Sequence, residues 1–257
     1  GPFLKLYELG KEQLLKKNEY KHRLTMITSI RSANSRIFVG DGATSVHVIR
    51  CGEGEQPFQE IADDILPRYL TAVEILDFHT VAIADKFGNV SILRLPMGAE
   101  EEVQEEYTTY NLKWESGYLN GAPIKFEQIC NIFHSSIVTS LKKAAMSRVP
   151  ATDILLGSNI DGALIAFMPF KDKKDLDFFR HLELAMRNDE KGFVFLTNRD
   201  HLVYRSYYGA VKGIIDGDLC EGFIQMDPAR KQEVAETMNM QVSQIESRIG
   251  EIKFSLK

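Results

Sequence analysis

Three stretches of the chain share one layout, and that repeat restricts the possible folds more than any other feature of the sequence. Arg36-Ile37-Phe38-Val39-Gly40-Asp41 leads to Val46-His47-Val48-Ile49, Val81-Ala82-Ile83-Ala84-Asp85 to Val90-Ser91-Ile92-Leu93, and Ile154-Leu155-Leu156-Gly157-Ser158 to Leu164-Ile165-Ala166-Phe167. Each time an apolar strand meets a small polar residue, a turn follows, and a second apolar strand leaves. The turns Gly40-Asp41-Gly42, Phe87-Gly88-Asn89 and Asp161-Gly162 suit the positive φ angles of tight hairpins. The first two copies lie about one propeller-blade length apart, roughly 40–45 residues for four-stranded blades. The pattern predicts a mainly β chain built of WD40-like β-propeller blades.

Around the repeat, Phe3 to Leu9, then Gly10 to Gln13, then Leu14-Leu15 reads as strand, turn, strand,. Between the second and third copies the spacing breaks at an insertion, about 97–122, that carries Glu100-Glu101-Glu102, Glu105-Glu106 and Trp114. Acid runs of this kind are usually surface loops, with a docking site for a basic partner as the alternative. Leu176, Phe178-Phe179, Leu182, Leu184-Ala185 and Met186 among charges predict a short amphipathic helix at about 174–188, expected to pack on the propeller rim,. Leu202 to Tyr208 returns to strand character. From Asp216 the texture becomes helical: Asp227-Pro228 is an N-cap followed by a first-turn proline, and apolar residues then fall at three- and four-residue spacing,. The expected organisation is a partial propeller over 1–215 and a small helical C-terminal domain over 216–257.

With 44% hydrophobic and 26% charged residues in 257, the chain can bury a substantial core,. A formal charge of -5 sets its global field against a nucleic-acid backbone,. The short basic clusters, Lys16-Lys17 with Lys21-His22-Arg23 and Lys171 with Lys173-Lys174, read as solvated turns rather than phosphate sites. Cys51, Cys130 and Cys220 are far apart, odd in number and free of CxxC spacing, which opposes a disulfide framework or zinc module and fits a reducing compartment. No apolar run approaches the roughly 20 residues of a membrane span, and none has the form of a signal peptide.

No catalytic arrangement stands out. The histidines His22, His47, His79, His134, His181 and His201 occur singly, without HExxH, and no GxSxG elbow is present,. Asp216-Gly217-Asp218 lacks the remaining ligands of a calcium loop and reads as a turn and helix cap. Asp41 and Asp85 occupy equivalent repeat positions, so their expected work is hairpin hydrogen bonding rather than acid–base chemistry. Cys220 beside Asp218 and Glu221 is expected to be an unreactive core thiol. Trp114, Tyr204, Tyr207 and Tyr208 could stack on single-stranded RNA, although aromatics in strands more often fill blade cores. No cofactor or metal is expected, and the chain reads as a non-enzymatic interaction module.

Specific strings then point further. Ile75-Leu76-Asp77-Phe78 into Thr80-Val81-Ala82, Ala84-Asp85-Lys86-Phe87-Gly88-Asn89-Val90 and Leu93-Arg94-Leu95-Pro96 resemble the final propeller of the splicing factor 3b subunit 3 family. Gly117-Tyr118-Leu119-Asn120-Gly121-Ala122, Asp177-Phe178-Phe179, Arg199-Asp200-His201-Leu202, Arg205-Ser206-Tyr207-Tyr208 and Ile215 to Glu221 follow in that family's order. Shorter parts such as Asp216-Gly217-Asp218-Leu219 are shared with the large damaged-DNA-binding subunit and the largest cleavage and polyadenylation specificity factor subunit.

The resemblance implies part of a seven-bladed propeller, the third of three, followed by helices, with the remaining blades supplied by another segment of the same parent protein. It implies a nuclear scaffold subunit of the splicing factor 3b complex, in the small nuclear ribonucleoprotein that recognises the branch site. Expected partners are the helical-repeat (HEAT) large subunit and a very small subunit, with RNA contact at most indirect. An adaptor of a ubiquitin ligase or of the 3'-end cleavage and polyadenylation machinery, and a direct RNA-binding module, are the alternatives. The partner-binding residues expected are Arg199, His201, Arg205, Tyr207 and Tyr208, with the terminal helices; the competing role for Tyr207 and Tyr208 is to alternate between core and rim and hold the helices on.

Overall fold

The computed structural model describes residues 1–21, 23–52, 57–98, 121–145, 153–187 and 200–255. It is mainly β, with sheets of largely antiparallel pairing followed by helices. A two-stranded sheet, β1 (Leu4–Leu9) with β2 (Leu14–Tyr20), opens the chain as the sequence predicts. The first larger sheet holds β3 (Ile27–Ala33), β4 (Arg36–Asp41), β5 (Ser45–Cys51) and β6 (Phe58–Asp63) in sequence order. Next come β7 (Leu70–Ile75), β8 (Thr80–Asp85) and β9 (Asn89–Arg94).

After the insertion, β10 (Ile124–Lys125) runs parallel to the edge strand β6, and β11 (Glu127–Phe133) then joins β9 of the second sheet. One short segment thus serves two sheets. Between its two parts Phe126 is almost wholly buried. The third sheet contains β12 (Val138–Ala145), β13 (Asp153–Asn159) and β14 (Leu164–Phe167). The three repeated hairpins are therefore real, as β4–β5, β8–β9 and β13–β14.

A polar residue at the end of each first strand works as a turn acceptor, and in the third copy it is Asn159 rather than Ser158. Asp41 Oδ1 accepts from the backbone N–H groups of Ala43 and Thr44, while its Oδ2 accepts from Thr25 and Met26. Burial alone would raise its pKa, but those four donors outweigh it and hold the carboxyl below 3.8,. Asp85 Oδ1 accepts from Phe87 and Asn89, and Asn159 Oδ1 accepts from Ala163.

The expected glycine geometry needs one correction. Positive φ falls on Gly88 and Gly162 in the second and third turns, but on Ser45 in the first. Gly40 is small for lack of room: a Cβ there would lie 2.4 Å from Ser29 Oγ and 2.8 Å from Val73 Cγ2.

Strand β8 shows why these runs look uniformly apolar. It is buried on both faces, with Val81 and Ile83 packed toward Phe38, Val48 and Ile61 of the first sheet, and Ala82 and Ala84 packed with Val138, Leu141 and Leu155 of the third. The alternation of large and small side chains lets one strand serve two interfaces. Each fully buried large side chain contributes about 1.5–3 kcal/mol.

Polar groups link the first sheet to the second in a continuous chain that ends at Ala210. Ser45 Oγ donates to Asp64 Oδ2 (2.7 Å), Arg68 Nε donates to the same oxygen (2.8 Å), and Arg68 Nη1 donates to Ser91 Oγ (2.9 Å). Ser91 Oγ donates to Asn131 Oδ1, whose Nδ2 donates to the carbonyl of Ala210. Paired this way, buried polar groups avoid the desolvation penalty of unsatisfied ones.

The helices are α1 (Lys173–Arg187), α2 (His201–Arg205), α3 (Gly217–Gly222), α4 (Pro228–Thr237) and α5 (Val242–Ser255). The first does not pack on a sheet rim as expected. Phe178, Phe179, Leu182, Ala185 and Met186 instead form one core with Leu219, Cys220, Phe223, Val234, Ala235, Ile245 and Ile249 of the later helices. Its apolar stripe matches their helical spacing. Asp227 occupies the N-cap position before Pro228, but its side chain makes no capping bond. Cys220 is a core thiol as expected; burial, then Glu183 and Asp216, raise its pKa, with Glu221 a minor contributor. No helix among the described residues is long and apolar enough to cross a membrane.

Candidate docking surface

The segment Leu202 to Tyr208 that was expected to be a strand is instead helical up to Arg205, in the helix His201–Arg205, and Ser206 to Tyr208 lie beyond that helix in a turn. Asp200 caps α2, its carboxylate accepting from Val203 N at 2.9 Å, and Ser206 closes the helix with its N–H bonded to the carbonyl of Leu202. The apolar and aromatic run Leu202-Val203-Tyr204 suggested a strand, but the cap and the ion pairs below it favour one helical turn. Chain direction is then fixed at Lys212, which forms a two-way backbone bridge with Asn131 of β11. Between these anchors sit Tyr207 and Tyr208.

The five expected partner-binding residues fall into three groups. Arg199 lies outside the described residues, as does Trp114 with most of the 97–122 insertion. His201 and Arg205 point inward to one carboxylate: His201 Nε2 is 2.8 Å from Asp216 Oδ2, and Arg205 Nε donates to the same oxygen. Asp216 also caps α3, accepting from Asp218 N and Leu219 N, while its own N–H donates to Glu183 Oε1 of α1. Burial would raise the Asp216 pKa, but the His201 and Arg205 hydrogen bonds and charges hold it well below the usual carboxylate range,. The sequence reading of Asp216 as a cap is therefore correct, and His201 and Arg205 position α2 on it.

Tyr207 and Tyr208 are exposed, at 69% and 55%. They do not alternate between core and rim. Phe133, at the end of β11, is the ring on which they converge: its centroid is 5.6 Å from Tyr207, 5.5 Å from Tyr208 and 6.0 Å from Tyr204. Phe87 lies 5.1 Å from Tyr208 and 5.8 Å from Tyr69, and Lys86 Nζ stands 3.5 Å above the Tyr69 ring. The result is a ridge of six rings joining the second sheet to α2.

Local structure accounts for the meeting of Phe87 and Phe133. Gly88, at φ +87°, turns the β8–β9 hairpin and brings its carbonyl to His134 N at 2.7 Å, so Phe87 and Phe133 become neighbours. A Cβ on Gly88 would come within 3.2 Å of the Ser136 carbonyl. Sequence reading missed Phe87, Phe133 and Tyr69. An aromatic inside a tight hairpin turn, as in Asp85-Lys86-Phe87-Gly88, was the available signal, because a turn residue cannot be buried by its own sheet.

Such a surface is suited to binding. Offset and edge-on ring pairs each add about 0.5–1.5 kcal/mol of cohesion, so the ridge is held in shape before any partner arrives. Among the described residues no group of three or more His, Cys, Asp or Glu is placed to hold a metal ion. Large exposed apolar surface rimmed by polar groups is characteristic of interaction sites.

Comparison with known proteins assigns the chain. The family model "CPSF A subunit region" matches residues 1–225. The chain is 42% identical over 253 residues to a probable splicing factor 3B subunit 3 of Dictyostelium discoideum, 39% identical over 254 residues to splicing factor 3B subunit 3 of Drosophila melanogaster, and 37% identical over 256 residues to the pre-mRNA-splicing factor rse1 of Neurospora crassa. These matches cover 98% of this chain but only 20–21% of each relative, so the chain spans about a fifth of their length. The chain therefore belongs to the CPSF A subunit region family, as a segment similar to that family's splicing factor 3B subunit 3 proteins.

Proposed function

We propose that this chain is a blade-and-helix segment of a nuclear, non-enzymatic scaffold subunit of the splicing factor 3b complex, and that it holds protein partners together during pre-mRNA splicing. The ridge of exposed rings on a frame fixed from beneath is the observation that carries this reading. Rigid presentation lowers the ordering cost of binding. The names of the relatives support the splicing assignment.

The propeller reading is supported by how the sheets meet. Each larger sheet begins with the strand nearest its neighbour, and β7 packs against both β3 and β12. First strands lying side by side are what blades around a common axis produce. We read residues 1–215 as blades and 216–257 as the helical domain, with α1 packed on the latter. The helical-repeat large subunit and the very small subunit are the proposed partners, with the remaining blades coming from the same parent protein. A net charge of -5 favours indirect RNA contact,.

Affinity purification of the tagged parent protein, as wild type and as Tyr207→Ser/Tyr208→Ser, tests this by mass spectrometry. Splicing factor 3b subunits should dominate the wild-type sample and fall several-fold in the variant. Enrichment of a cullin instead, or recovery that ignores the substitutions, refutes the reading.

A further inference from the structure

The ring ridge has a shape of its own. Tyr207 and Tyr208 meet at 88° with centroids 4.9 Å apart, and Tyr69 and Phe87 meet at 85° with centroids 5.8 Å apart. Rings set at right angles leave an open corner between the face of one and the edge of the other. The Phe87–Tyr208 contact, 5.1 Å at 40°, joins the two corners. All four rings are exposed, from 40% at Tyr69 and Phe87 to 69% at Tyr207. The hydroxyls of Tyr69, Tyr207 and Tyr208 make no hydrogen bond among the described residues, which leaves three donors at the surface.

Charge does not select a ligand here. The Lys86 ammonium already sits on the Tyr69 face, 3.5 Å from its centroid. The Arg205 guanidinium, 5.2 Å from the Tyr204 centroid, is paired with Asp216 and Asp218. At His134, next in sequence to Phe133, Arg205 acts in one direction and Asp218, Asp216 and Asp161 act in the other. With both signs at hand, the ridge favours neither a cationic nor an anionic segment over a neutral one.

We propose that the ridge holds a proline-rich segment of a protein partner in the polyproline II conformation, with proline rings seated in the Tyr69–Phe87 and Tyr207–Tyr208 corners. This rests on the docking reading of the ridge and adds the chemistry of what docks. Such segments bind on exposed aromatic rings, and because they are extended beforehand, little ordering entropy is lost. Their backbone carbonyls have no internal partner, so the tyrosine hydroxyls can donate to them. One turn of that helix advances about 9 Å, a step that two corners joined through a 5.1 Å ring contact can span. Single-stranded nucleic acid is the rival occupant, and its binding would weaken steeply with salt.

The test uses the intact parent protein and three fluorescent probes of equal length: decaproline, a Gly/Ser peptide and an oligouridine. Decaproline should bind about tenfold more tightly than the Gly/Ser peptide, and its affinity should change by less than about twofold between roughly 0.05 and 0.5 M salt. Tyr207→Ser/Tyr208→Ser should abolish the preference. Tyr207→Phe/Tyr208→Phe, which keeps the rings and loses the hydroxyls, should weaken decaproline by about threefold. Unchanged thermal melting verifies that the serine variant is folded, and the phenylalanine variant tests the same contact if it is not.

Equal binding of the two peptides, steep salt dependence of decaproline binding, decaproline affinity unchanged in the phenylalanine variant, or oligouridine binding that depends on the tyrosines would overturn the proposal. Partner recovery lost in the serine variant without any proline preference would remove only the proline assignment. Partner recovery unchanged in that variant would remove the docking reading as well.

Discussion

Replacing Asp216 by Asn separates two jobs that one carboxylate performs. Its Oδ1 caps α3 through Asp218 N at 3.0 Å and Leu219 N at 3.2 Å, while its Oδ2 meets His201 and Arg205. Asn caps a helix about as well as Asp, so the first job survives. The second does not, because an amide NH2 or a neutral oxygen now faces two donors. Asp216, His201 and Arg205 are all nearly buried at their side chains, and removing one member of a buried ion pair costs about 3–5 kcal/mol.

The loss should be local, since Asp216 joins α1, α2 and α3 but none of the sheet cores. Hydrogen exchange read by mass spectrometry resolves this. Amides of residues 201–206 and 217–223 should exchange roughly 100-fold faster, which is about 3 kcal/mol at 1.36 kcal/mol per tenfold, while those of β8 stay unchanged. Asp216→Ala should add about 1 kcal/mol from the lost cap. If Asp216→Asn exchanges like the wild type and only Asp216→Ala differs, the helices are held by capping and packing alone, and the electrostatic account is wrong.

Three further outcomes follow from the same reasoning. Burial raises the Asp63 pKa from 3.8 to about 6 in spite of the Lys125 ammonium beside it; a carboxyl raised on folding favours the native state when protonated, so urea midpoints should rise as pH falls from about 6 toward 4, at up to about 1.4 kcal/mol per unit. Below about 3.8 the trend should reverse as Asp41 and Asp216, both held low in the native state, take up protons. Gly213 has φ +62° and would place a Cβ 2.4 Å from the Ile129 carbonyl oxygen, so Gly213→Ala should cost about 1–3 kcal/mol and speed exchange at Asn131 and Lys212. Phe126→Ala should cost about 3–5 kcal/mol in a denaturant melt, with a smaller loss indicating that the site collapses around the gap.

Where pattern and chemistry agree locally, the fold could be read from the residues. The hairpins at 36–51, 80–94 and 153–167 carry both strand alternation and turn acceptors, and α1 carries a stripe of Phe178, Leu182 and Ala185 on one face. At 201–205 the two signals conflict. Leu202-Val203-Tyr204 favours a strand, whereas the Asp200 cap and the distant Asp216 together favour a helical turn. Strand β11 was missed because its partner β9 lies across the long insertion.

The candidate surface divides in the same way. Tyr207 and Tyr208 could be named from sequence as aromatics of an expected strand, but the inward aim of His201 and Arg205 depends on a carboxylate more than ten positions away. Phe133 and Phe87 become neighbours only through the pairing of β9 with β11.

The passage of residues 124–133 from β6 to β9 has a mechanical consequence. Adjacent sheets joined only by side-chain packing can peel apart one at a time, but here the covalent backbone itself is stitched across the boundary, with Phe126 as the knot. Pulling either sheet loose must tear out the other's edge, so heat or force should release the two together.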